Sequence, residues 1–153
     1  MNTATRTALF HKAFGHPVRN VPQAIPDKEE AWLAFNLIAE ELQELADALF
    51  DRSVLVSPMI APGGLRYKPY LTEVADAIGD LDVVVNGAGL RHGLDMDLLS
   101  EVIFDSNMSK LGVDGKPIYS RGMEIDGKPK GKIMKGPNFS EPDIEGALDV
   151  MSQ

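Results

Sequence analysis

The sequence predicts an all-α fold with a short basic appendage. Two long segments carry apolar residues at three- and four-residue steps, and a third, shorter segment keeps the same period. After Gly112 that period stops and glycine, proline and lysine take over. A chain of 153 residues is about one domain. We therefore expect one domain over 1–153, with a helical core over about 4–111 and a loop or small-hairpin tail over about 112–153.

Residues 4–15 read as a first short helix, with Leu9, Phe10, Ala13 and Phe14 on one side. Gly15 to Pro26 holds three prolines and reads as a loop. Asp27 is placed to cap the next helix, with Glu29 and Glu30 near its positive end. That helix runs to Arg52 on a stripe of Phe35, Ile38, Leu42, Leu45 and Leu49. Residues 53–70 carry Pro58, Pro62, Gly63, Gly64 and Pro69, so an irregular stretch is expected.

Thr72 is expected to cap a second long helix, striped by Leu71, Val74, Ile78, Leu81 and Val85 and ending near Leu90 to Gly93. A further helix is expected over Leu98 to Leu111, with Leu99, Val102, Ile103 and Met108 inward. Beyond it, Asp-Gly-Lys-Pro occurs twice, at Asp114–Pro117 and Asp126–Pro129. Asp-Gly is hairpin-turn chemistry, and Ile118-Tyr119, Met123–Ile125 and Ile133-Met134 are strand-sized pieces.

Composition narrows the function. Cysteine is absent, so there is no disulfide frame, thiolate zinc site or cysteine nucleophile. No run of eighteen apolar residues occurs and residues 1–10 lack a signal peptide's apolar stretch, so a soluble cytoplasmic protein is expected. The net charge of −8 is unevenly spread: sixteen acids face five bases over 27–107, whereas seven bases face three acids over 108–137. That balance argues against a plain nucleic-acid binder, as the lack of a long apolar run argues against a membrane partner. It suits either a solvated acidic surface or a ligand that is cation and polyanion together, such as a metal–phosphate complex.

The acids are also ordered. At about 100° per residue, Glu41 and Glu44 share one flank of their helix, while Glu40 falls nearly opposite the stripe. Glu73, Asp76 and Asp80 form a ladder on one face of the next helix. Such acids either face water or surround a cation, and an all-oxygen set suits Mg²⁺ or Mn²⁺. His11, His16 and His92 lack the Glu-x-x-His spacing of a di-iron bundle. No nucleophile elbow or Gly-Lys-Ser/Thr phosphate loop is present. The strip Lys110, Lys116, Arg121, Lys128, Lys130, Lys132 and Lys135 either complements helix ends or holds phosphate oxygens.

Glu40-Glu41-x-x-Glu44 followed by Glu73-x-x-Asp76 resembles the EExxE…ExxD signature of the MazG-like all-α nucleoside triphosphate pyrophosphatases. That superfamily includes phosphoribosyl-ATP pyrophosphohydrolases and dimeric dUTPases. The likeness extends to Phe10-His11-x-x-Phe14-Gly15-x-Pro17, to Ser106–Leu111 and to Lys135–Phe139, covering roughly residues 8–145. The C-terminal part resembles that of short, single-domain phage and bacterial members, which include dGTP-preferring enzymes of the MazZ type.

The resemblance implies a four-helix core completed by oligomerisation, as a homodimer or homotetramer. It also implies Mg²⁺-dependent hydrolysis of a (deoxy)nucleoside triphosphate, with Mn²⁺ able to substitute. By motif position Glu41, Glu44, Glu73 and Asp76 would be the metal ligands and Glu40 an accessory catalytic carboxylate. Asn107 and Lys110 would contact sugar or phosphates; from the basic strip, Lys132 and Lys135 are the further candidates to hold phosphate. Asp82 and Asn86 depart from the apolar run usual there. They are either a polar pair at a subunit contact or readers of the nucleoside, since a carboxylate accepts guanine's N1 and N2 hydrogens. Trp32 is either a core residue or a stacking platform for the base. The implied substrate is dGTP or GTP. The alternatives are house-cleaning of dCTP or non-standard nucleotides, and a catalytically silent acidic helical interaction module.

Overall fold

The computed structural model describes residues 1–20, 23–50 and 69–152. It is mainly helical: α1 (Thr3–Ala13), α2 (Lys28–Phe50), α3 (Leu71–Arg91), α4 (Met96–Met108), α5 (Met123–Asp126) and α6 (Ile144–Met151). Among the described residues β-structure is confined to one isolated antiparallel bridge, Tyr119 with Ile133. No described helix is long and apolar enough to cross a membrane. The chain divides into two compact units, Met1–Asn20 with Leu81–Gln153, and Val21–Asp80.

In the first unit, α1 is capped by Asn2, whose Oδ1 accepts from the Thr5 amide at 2.9 Å. α1 packs on α4, and α4 on α6. Phe14 is fully buried just beyond α1 and stacks at a tilt on Phe10, ring centroids 4.6 Å apart. Leu9, expected on the same apolar side, is 41% exposed instead. The buried place on α1 belongs to Arg6, whose guanidinium reaches α4. Ile103 of α4, expected inward, is likewise exposed, while Leu99, Val102 and Met108 are partly buried.

α3 ends as its sequence indicates. Gly93 adopts φ +71° and the Leu94 amide returns to the Gly89 carbonyl at 3.0 Å, a glycine-closed helix end. α4 then starts two residues earlier than expected. Asp95 caps it by accepting from the amides of Asp97 and Leu98, both at 3.0 Å.

The tail differs from the expected loop or hairpin in two respects. Met123–Asp126 is a single helical turn rather than a strand, because Asp126 folds back to accept from the Arg121 amide and guanidinium. Those bonds hold the Asp126 carboxyl below the usual carboxylate range. Residues 144–151 form α6, capped by Asp143 and with Ala147 buried. Ile118-Tyr119 and Ile133-Met134 do pair, the Ser120 and Met134 amides bonding across to the Lys132 and Ile118 carbonyls at 2.8 Å, but the connection runs through α5, and Gly127 closes that helix instead of forming an Asp-Gly hairpin turn.

In the second unit, Asp27 caps α2 as its position indicates, its Oδ1 accepting from the Glu30 amide at 2.8 Å. The α2 stripe is half-exposed: Phe35 is 57% exposed and Leu45 45%. The start of α3 needs a correction. Val74 bonds the Tyr70 carbonyl at 3.0 Å, so the first turn opens at Tyr70, and Thr72 lies inside the helix rather than capping it. The irregular stretch expected over 53–70 lies, except for Pro69 and Tyr70, outside the described residues.

Candidate active site

The acidic motif falls on helices as its spacing requires. Glu40, Glu41 and Glu44 are exposed on α2, and Glu73 and Asp76 are exposed in the first turns of α3. Three-residue spacing sets Glu41 and Glu44 about 60° apart around α2 and about 4.5 Å apart along it, and does the same for Glu73 and Asp76 on α3. Each helix thus carries one pair of carboxylates on one flank. Among the described residues no three His, Cys, Asp or Glu side chains converge within reach of one metal ion in the single chain.

Between these acids, Gln43 donates from Nε2 to Asp47 Oδ1 at 2.8 Å. This i,i+4 bond orders the middle of α2 beside Glu44. Further along α3, Asn86 donates from Nδ2 to the Asp82 carbonyl at 2.7 Å and to Asp82 Oδ1 at 3.2 Å. The two unusual polar residues are thus one hydrogen-bonded unit, Asp82 exposed and Asn86 partly buried. Trp32 is partly buried, with Phe35 tilted against it at 6.1 Å between ring centroids.

At the end of α4 the residues singled out for the ligand do meet. Lys110 Nζ donates to Asn107 Oδ1 at 2.6 Å, and both residues are partly buried. The segment carrying Lys135 lies on the same turn, since the Gly136 amide bonds the Lys110 carbonyl at 3.0 Å. Lys135 itself is engaged locally. Its Nζ contacts Glu141 Oε1 at 2.7 Å and sits 4.1 Å above the centre of the Phe139 ring. Lys132 is exposed, and its main chain joins the pairing with Ser120.

Ser106 and Ser109 enter the sequence reading only as part of a family-like stretch, with no role of their own, and Ser140 not at all. Ser106 and Ser109 lie one helical turn apart, and Ser140 is bonded to both. Their sequence signal is slight, because a serine in a helix usually reads as a neutral surface choice.

The sequence profile of the phosphoribosyl-ATP pyrophosphohydrolase family matches residues 7–107. No curated protein matches the chain significantly. Among solved structures, the chain is similar to a crystal structure of a "putative NTP pyrophosphohydrolase" from Exiguobacterium sp. 255-15. The identity is 25%, with 99% of this chain and 94% of that one covered at a TM-score of 0.61.

Proposed function

The chain belongs to the phosphoribosyl-ATP pyrophosphohydrolase family and is a pyrophosphatase hydrolase, and we propose that it cleaves a (deoxy)nucleoside triphosphate, dGTP or GTP foremost, to the monophosphate and pyrophosphate. One observation carries this reading. Glu40-Glu41-x-x-Glu44 and Glu73-x-x-Asp76 are both present in full, and both lie on helical segments. A scaffold has no need of five acids at that spacing, because like charges one turn apart weaken a helix.

The donor set fits Mg²⁺ or Mn²⁺, being entirely hard carboxylate oxygen. Glu41, Glu44, Glu73 and Asp76 would hold the ion, which when bound neutralises phosphate charge and lowers the pKa of water. The chain's other groups act on substrate directly. Glu40 orients the attacking water and takes its proton, while the α–β anhydride breaks and pyrophosphate leaves. Lys110, with Asn107, binds sugar or phosphate oxygens, and Lys132 and Lys135 add positive charge for the phosphates. Asp82 and Asn86 read the base, and Trp32 offers a ring for it to stack on. The half-exposed stripe of α2 favours a second copy of this chain as its cover, in a dimer or tetramer.

The test is to incubate the purified chain with each common (d)NTP and Mg²⁺ and resolve the products by anion exchange. Monophosphate and pyrophosphate from dGTP or GTP support the proposal. A different preferred nucleotide corrects the substrate. No product with any nucleotide, under Mn²⁺ as well, rejects the hydrolytic reading for common nucleotides.

A further inference from the structure

We infer that the segment Lys135–Ser140 is a positioning element for the Asn107–Lys110 pair, with Ser109 as its key contact, holding that pair's donors for the phosphate oxygens proposed above. The inference rests on the proposed function for the identity of the substrate.

The geometry is a staple. Ser109 Oγ donates to the Ser106 carbonyl at 2.7 Å and accepts from the Ser140 amide at 3.0 Å. Ser106 Oγ, on a side chain that is buried, donates to the Ser140 carbonyl at 2.8 Å. Both polar groups of the Ser140 backbone are therefore held by hydroxyls one turn apart, Ser106 in the last turn of α4 and Ser109 at its C-cap. The other end of the segment is fixed by the Gly136 amide on the Lys110 carbonyl. A Cβ at Gly136 would lie 2.2 Å from the Leu111 carbonyl oxygen and 2.8 Å from that of Lys110, so only glycine admits this approach.

Two consequences follow for a ligand. A helix C-terminus normally repels anions, because its last carbonyls carry partial negative charge. Here those carbonyls are taken. Asp105 accepts from the Ser109 amide, Ser106 from the Ser109 hydroxyl, Asn107 and Met108 from the next turn, and Lys110 from Gly136. In addition, the Asn107 side-chain carbonyl is committed to the Lys110 ammonium. The pair is thus rich in donors, the Asn107 amide hydrogens and the Lys110 ammonium, which matches an acceptor such as a phosphate oxygen. Loosening the staple frees the last turn of α4 and disperses the pair.

The experiment compares Ser109→Ala, which removes the hydroxyl, with Ser109→Thr, which restores one. Steady-state KM and kcat are measured on the preferred triphosphate, with binding of inorganic tripolyphosphate by calorimetry and a thermal melt alongside. Ser109→Ala should raise KM and weaken tripolyphosphate binding about fivefold, with kcat within about twofold and recovery in Ser109→Thr. Unchanged KM and tripolyphosphate binding in Ser109→Ala, even with a lowered melt, would make the staple merely structural and overturn the inference. Absence of turnover with the binding pattern intact would reject the proposed reaction while leaving the inference standing. Absence of tripolyphosphate binding in the unmodified chain would reject the inference.

Discussion

The Arg6 guanidinium donates to Glu101 Oε2 at 2.8 Å and to the Asp97 carbonyl at 3.2 Å, tying α1 to α4 through a side chain that is 7% exposed. Glu101 keeps 59% of its side chain in solvent, so the two partners are unequal. Removing Arg6 loses both bonds and the packing of its stem, whereas removing the charge on Glu101 leaves an oxygen still able to accept. We expect Arg6→Ala to cost about 2 kcal/mol and lower the melting temperature by about 6 °C. Glu101→Gln should cost less than about 1 kcal/mol. Circular-dichroism melts of both variants decide it; equal losses would mean the Arg6 contribution is purely ionic.

The acidic motif makes a prediction of opposite sign. Glu44→Gln and Asp76→Asn should each reduce turnover by at least about 10²-fold, because each removes a proposed ligand of the ion that neutralises phosphate charge. Both should keep the fold at equal or greater stability without metal, since each relieves repulsion along its helix. Product formation and a metal-free melt are the readouts. Wild-type activity in either variant would overturn the ligand assignment.

How far the sequence reached follows from what each residue's signal depends on. Asp27 as a cap and Gly93 as a helix end are local effects, and both were legible, whereas the Asp126-Gly127 pair reads as a hairpin turn and Gly127 instead closes α5. Arg6 was not, because a wheel reading sends every charge outward and the partner Glu101 lies 95 residues away. Thr72 carried a capping side chain but not the capping backbone, since the Tyr70 carbonyl already opens the helix. α6 was missed because eight residues after Pro142, two of them acidic, give a periodicity too short to trust. At the candidate site, spacing placed the five acids on helical segments, yet spacing along one helix says nothing about convergence between two. The Asn107–Lys110 bond spans one turn, so its two members could be paired by position, while Ser109, Gly136 and Ser140 meet only in three dimensions.

Stability should fall on mild acidification through His16. Burial lowers its pKa, and the neighbouring His11, 5.2 Å away between ring centroids, lowers it further. A histidine whose folded pKa lies below 6.5 takes up its proton first in the unfolded chain. Stability is therefore undiminished above about pH 6.5 and declines as pH drops from there toward the folded pKa. The slope of unfolding free energy between about pH 7.5 and 5 should flatten in His16→Gln and shrink in His11→Gln. An unchanged slope in His16→Gln would assign the acid sensitivity elsewhere.

Asp82 and Asn86 separate base reading from metal binding. Asp82→Ala removes the carboxylate that accepts from Asn86 at 3.2 Å, and under the proposed role it should shift the ratio of kcat/KM between dGTP and the other nucleotides by about tenfold. The Mg²⁺ concentration giving half-maximal rate should stay within about twofold, because Asp82 is not among the proposed ligands. A uniform loss across all nucleotides would return the pair to a structural role at a contact.

Two glycines test whether the corner at α4 is as rigid as its hydrogen bonds require. A Cβ at Gly89 would meet the Met96 sulfur at 2.3 Å and its Cγ at 2.9 Å. A thioether on a flexible chain can rotate away, so Gly89→Ala should cost about 1 kcal/mol, partly offset by the better helix propensity of alanine. At Gly136 the obstacle is the Leu111 carbonyl oxygen at 2.2 Å, backbone that moves only if the segment lifts from α4. Gly136→Ala should therefore cost about 3 kcal/mol, lose the Gly136–Lys110 bond and speed amide exchange at Gly136 and Ser140. Equal destabilisation by the two substitutions, with protection at Ser140 unchanged, would show that the segment yields as easily as a methionine side chain.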